Sequence, residues 1–164
     1  MPRVAVRLAT PDDRPALVGL FVEMERHYGA DTAIDPGTAA DRLERGAFAP
    51  GAPAEILLAE RDGAALGVAC FSTLFPAEDL VPLLFLKDLF VTETARGRGV
   101  ARALLAGLAR LAAERGIDRV DWTTGRDNLR ARKLYDGIGA HRRSDTVYYQ
   151  LNGDALRKLA GTEQ

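Results

Sequence analysis

Arg96-Gly97-Arg98-Gly99-Val100-Ala101-Arg102 has the composition of an anion cradle. It joins an apolar run to an Ala/Leu pattern of helical period, so its glycines fall at a helix start. The first turn of a helix leaves backbone N–H groups unpaired at the positive end of the helix dipole. Glycine permits positive φ and close backbone approach, and arginine adds charge-assisted hydrogen bonds. The turn therefore suits a pyrophosphate. It is not a Walker loop, which ends in Gly-Lys-Ser/Thr. It is not a dinucleotide fingerprint either, because Arg102 stands where the third glycine belongs and the turn does not follow the first strand.

Lys87 and Asp88 interrupt the apolar run Leu83–Val91. In a regular strand the two point to opposite faces, and a bulge would re-aim one of them. Lys87 accepts a proton only if burial lowers its pKa, and otherwise it can recognise a carboxylate. Asp88 is either a base or a structural acid. Asn128 and Tyr135 are seven residues apart, hence on one face of a helix. Taken alone, Asn128 reads equally as a cap and Tyr135 as a half-buried aromatic. Cys70, the single cysteine, reads as a buried structural thiol. His27 and His141 form no metal-ligand pattern, so no metal is expected.

These groups need elements to hold them. Val4, Val6 and Leu8 alternate as a half-buried strand. Thr10-Pro11-Asp12-Asp13 opens a helix whose apolar positions, Leu17 to Tyr28, keep helical spacing until Gly29. Thr38 signals the cap of a short helix reaching Leu43. Strands are expected at 55–61 and 66–75 around the Asp62-Gly63 turn, and at 83–91. A long helix should end near Gly116, followed by a strand at 120–123, a helix from Asn128 to Asp136, an aromatic strand at 147–151 and a short helix from Asp154. The order is β-α-α-β-β-β-α-β-α-β. It predicts a mixed α/β layer fold with one mostly antiparallel central sheet flanked by helices, and a single domain over 1–164.

Composition narrows the function classes. A 164-residue chain with 47% hydrophobic and 27% charged residues can bury a core without disulfides. Its net charge of −1 hides +6 between Arg96 and Lys133 and −7 elsewhere. A local basic segment suits a small polyanion better than a nucleic-acid face. No leader-like or membrane-length apolar stretch is present, so a cytoplasmic chain with neither nucleic-acid nor membrane partners is expected.

Arg96-x-x-Gly99-x-Ala101 resembles the acyl-CoA pyrophosphate motif of the GNAT superfamily of N-acetyltransferases. Downstream, Asn128-x-x-Ala131-x-x-Leu134-Tyr135, then Gly137-Ile138-Gly139-Ala140, is similar to the second motif of that superfamily. Leu86-Lys87-Asp88-Leu89-Phe90-Val91, Asp121-Trp122 and the ending Tyr149–Leu156 look like its diamine and thialysine acetyltransferase branch. Lys87 departs from that branch, which carries Glu there.

The resemblance implies acetyl-CoA as co-substrate and a small primary amine as acceptor, such as an amino acid or diamine. It implies pantetheine pairing along Leu89, Phe90 and Val91, and pyrophosphate held by Arg96, Gly97, Arg98, Gly99, Val100, Ala101 and Arg102. Asn128 and Ala131 would orient the cofactor. Tyr135 would protonate the sulfur and also touch the cofactor, and Asp88 is the catalytic candidate on the strand. Lys87, His27 and Tyr28 would meet the substrate. A homodimer is common in the branch. Alternatives are a degenerate acyl-CoA sensor and a protein N-terminal or lysine acetyltransferase.

Overall fold

A computed structural model describes residues 4–29 and 34–162. They fall into two compact units, one up to Gly125 and one from Arg126. The first unit holds strand β1 (Ala5–Leu8), helix α1 (Arg14–His27), helix α2 (Pro36–Leu43), strands β2 (Glu55–Arg61), β3 (Ala64–Leu74) and β4 (Leu83–Val91), helix α3 (Val100–Glu114) and strand β5 (Val120–Trp122). The second holds helices α4 (Leu129–Gly137) and α5 (Gly153–Leu159).

The strands form one sheet in the order β1-β2-β3-β4-β5. The first three pairings are antiparallel and β4–β5 is parallel, through the α3 crossover. That is the mixed, mostly antiparallel sheet expected from the sequence. Asp62 and Gly63 both take positive φ, 52° and 78°, which lets the β2–β3 hairpin turn in two residues.

Each face of the sheet buries one helical stripe. Leu17, Leu20 and Met24 of α1 pack on Ile56, Leu58, Val68 and Phe90. Leu104, Leu105 and Leu108 of α3 are buried, as are Leu57, Ala59, Ala69 and Phe71, which alternate with the first set along β2 and β3. Gly107 lets α3 seat closely, since a Cβ there would lie 2.6 Å from Val6. Gly67 is required too, because a Cβ would collide with the Phe90 carbonyl of the neighbouring strand.

Two expectations change. The cap of α2 is Asp35, whose carboxylate accepts the Gly37 and Thr38 amides at 2.9 and 3.2 Å, with Pro36 at the first helical position. Thr38 lies inside the helix. The expected strand at 147–151 does not form, so the order closes β-α-α rather than β-α-β. Val147, Tyr148 and Tyr149 have the side chains of a strand, but a strand also needs a ladder, and none is made there among the described residues.

Candidate functional site

The site is built where β4 leaves the sheet. Cys70 pairs with Asp88 while Phe71 pairs with Leu86, so Lys87 is an extra residue, a β-bulge. The bulge resolves the Lys-Asp puzzle. Paired residues of an antiparallel ladder share a face. Leu86 therefore follows Phe71, whereas Asp88 follows Cys70 and joins Phe90 and Val68 on the α1 face. Without the bulge Leu86 and Asp88 would share a face. Lys87 is left outside, 71% exposed along its side chain, with its ammonium 3.4 Å from the Asp88 carboxylate, which is 27% exposed.

The same strand opens an edge. β5 pairs with Leu84, Phe85 and Leu86 and no further. Past the bulge, Thr92 donates its N–H to Leu66 of β3 at 3.0 Å. Main-chain groups alternate sides along a strand, so Phe90 also faces β3 while Leu89 and Val91 face away from it. No strand pairs with that side of Leu89 and Val91 among the described residues. Their amides are the ones an extended ligand could pair with.

Beyond β4 the chain reaches the Arg-Gly turn. Gly97 and Gly99 take φ of 76° and 79°, the left-handed region that glycine favours. Among the described residues nothing lies within 4 Å of where either Cβ would stand. Ala103 is the residue whose N–H bonds the Gly99 carbonyl, at 3.0 Å. The amides of Val100, Ala101 and Arg102 precede that bond and have no intrahelical acceptor. Val100 itself is buried and anchors the helix start, while Gly97, Arg98, Gly99 and Arg102 are exposed. These features fit a pyrophosphate.

Arg96 behaves differently from its neighbours. Its Nε donates to the Val91 carbonyl at 3.1 Å, and its guanidinium lies 5.7 Å from the centre of the Phe90 ring. It braces the corner between strand and turn. Glu23 of α1 holds the same corner from below, accepting the Thr92 hydroxyl at 2.8 Å and the Glu93 amide at 2.9 Å. Sequence reasoning missed Glu23, because its partners lie about seventy residues away and no local pattern marks it.

A cavity of about 610 Å³ opens on the α1 face between α1, α2, the start of β2 and the second half of β3. Phe21, Leu43, Ala47 and Ile56 are among its walls, and Cys70 brings it to the strand that pairs with Asp88. Burial, with the Asp88 charge adding to it, pushes the Cys70 thiol up to about 11. His27 and Tyr28 do not line this cavity. Both are exposed at the end of α1, stacked edge to face, with the His27 ring 6.2 Å from Phe90.

In the second unit, Asn128 caps α4 by accepting the Ala131 amide at 3.1 Å. The cap reading of Asn128 is therefore realised, with Ala131 in the first turn. Tyr135 sits half-buried in the second turn, where it makes interactions of its own.

Residues 21–140 match the family described as the acetyltransferase (GNAT) family. A D-amino-acid N-acetyltransferase of Saccharomyces cerevisiae is 34% identical over 91 residues, covering 56% of this chain and 55% of that protein. A thialysine N-epsilon-acetyltransferase of Bos taurus is 28% identical, covering 48% of each. The chain thus spans about half the length of these curated relatives. Among solved structures, an integron cassette protein from the mobile metagenome of V. cholerae superposes with a TM-score of 0.88. It is 34% identical and the match covers 96% of this chain and 97% of that one.

Proposed function

The chain belongs to the acetyltransferase (GNAT) family, and from that premise we propose that it moves an acetyl group from acetyl-CoA to a primary amine of a small molecule. The observation that carries the reading is the β4 bulge. It sets Asp88 on the cavity face, one strand from a cavity wall, while leaving the Leu89 and Val91 amides on an unpaired edge.

Acetyl-CoA supplies the acyl group already activated as a thioester. This chain's residues do the rest. The amides of Val100 to Arg102, with the glycine turn at Gly97–Gly99, hold the pyrophosphate. The Leu89 and Val91 amides align the extended pantetheine, and one of them meets the oxyanion as the carbonyl is attacked. An alkylamine is protonated at neutral pH, its pKa being about 10.4 in a lysine side chain, so attack needs a proton acceptor. Asp88 takes that proton, directly or through a water. Tyr135 returns one to the departing sulfur, a role that rests on the Asn128-x-x-Ala131 motif around it. Lys87, outside the cavity walls, pairs with the Asp88 carboxylate from the solvent side. Arg98 and Arg102 add charge at the turn, and Asn128 and Ala131 orient the cofactor by the same motif. His27 and Tyr28 edge the acceptor's approach.

Cytoplasmic placement and a homodimer belong to the same proposal. No helix among the described residues is long and apolar enough to cross a membrane.

Thiol release from acetyl-CoA, followed with a panel of primary amines, tests the reading. Amine-dependent release supports transfer. Tight CoA binding without release assigns the chain to acyl-CoA sensing instead.

A further inference from the structure

The cavity on the α1 face goes beyond transfer to amines in general. Resting on the acetyltransferase reading, we propose that it seats an apolar body, so that the acceptor is a primary amine on an arylalkyl or branched-alkyl frame. Polyamines and aminoglycosides are then poor substrates.

Three observations point this way. Phe21, Ile34, Leu43, Ala47 and Ile56 make the walls mainly apolar, with Thr38 the one lining hydroxyl among the described residues, and Ile56 is buried. A hydroxyl or second ammonium against such walls would lose its water without gaining a partner. The charged lining residues are all exposed, which puts Glu25, Asp35 and Arg42 at the mouth. Together they carry one net negative charge. Asp35 already accepts two backbone amides, and Arg42 repels a second cation. That mouth attracts a monocation and offers little to a polycation. Finally, Cys70 links the cavity to the bulge through its pairing with Asp88. An amine whose apolar frame fills the cavity can thus present its nitrogen toward the group assigned to deprotonate it. At about 610 Å³ the space is within the range of small-molecule sites, about 300–1,000 Å³.

Calorimetric titration of the full chain with 2-phenylethylamine, spermidine and kanamycin tests this without turnover. The arylalkylamine is expected to bind at least about ten-fold more tightly than either polycation. Ala47→Phe, which fills the cavity, should weaken 2-phenylethylamine at least about ten-fold while acetyl-CoA affinity stays unchanged. Leu43→Asn, which makes the wall polar without adding bulk, serves if Ala47→Phe melts early. Equal or tighter binding of spermidine or kanamycin overturns the inference, as does unchanged 2-phenylethylamine binding in a folded variant. Thiol release separates this from the broader reading. Turnover with a polyamine preference sinks the apolar-amine inference alone. Selective amine binding with no thiol release supports the cavity assignment and sinks acetyl transfer.

Discussion

Asp88 and Cys70 share one rung of the β3–β4 ladder, and the carboxylate bears on the chemistry of the thiol. The carboxylate adds to the desolvation that pushes the Cys70 thiol up to about 11. A raised thiol pKa favours the neutral form. Its contribution to stability is complete below the unfolded pKa, about 8.5, and is lost as pH rises through about 11. The thiolate is the reactive species, so Cys70 should be inert at pH 8. Alkylation by iodoacetamide at that pH is expected to run on the order of 100-fold slower in the native chain than in urea. Equal rates would show that the thiol is not held in this environment. Lys87 was legible as an anomaly, a lysine inside an apolar run. Its physical reason was not, because a bulge is defined by pairing with another strand.

At the scale of elements, the site depends on how α1 is tied to the end of β4. Glu23 accepts both Thr92 and Glu93 there, and Arg96 closes the corner on Val91. Glu23→Ala removes an acceptor from a half-buried hydroxyl and an amide, at a cost of about 1–3 kcal/mol. The turn behind Val91 would then loosen, and the KM for acetyl-CoA should rise about ten-fold. Glu23→Gln keeps one carbonyl oxygen for the Glu93 amide and should restore most of that loss. Steady-state kinetics on both variants checks it, and unchanged KM in Glu23→Ala would remove Glu23 from the account. Sequence read the strands on either side well. β2 and β4 begin and end where their apolar patterning and the Asp-Gly turn set them. Val147–Leu151 was misread because aromatic residues report affinity for a sheet surface, whereas a strand is defined by a ladder to another stretch of chain. The α2 start was misplaced by three residues, although Asp35-Pro36 carries the stronger signal.

Across the whole molecule, Arg7 fastens three elements together. Its guanidinium on β1 meets Asp13 ahead of α1 at 2.7 Å and Glu60 on β2 at 3.0 Å. The Arg7 hydrogen bond, helped by the Thr10 amide, holds the Asp13 carboxyl well below the usual carboxylate range. A depressed pKa contributes stability that is complete above the unfolded value, about 3.9, and is lost as pH falls below it toward the folded value. Asp13→Asn should therefore lower stability at pH 7 by about 1 kcal/mol, counting the lost helix-start contact and a partly exposed ion pair. The gap should narrow toward pH 3, where the unfolded chain takes up a proton at Asp13 that the folded chain does not. Urea midpoints at the two pH values measure this, and a constant gap would contradict it. The fold class and the positive-φ glycine turn at Gly97 and Gly99 were legible because each is written in contiguous residues. The cavity was not, since α1, α2, β2 and β3 contribute to it from four separate stretches.

The central claim is that this chain acetylates amines at the β4 bulge, with Asp88 accepting the proton. Amine-dependent thiol release at saturating acetyl-CoA, compared between wild type and Asp88→Asn, tests it most directly. The account predicts turnover in wild type and a kcat lower by about 10²–10⁴-fold in the variant, with acetyl-CoA affinity unchanged. An Asp88→Asn protein that releases CoA at the wild-type rate would contradict it.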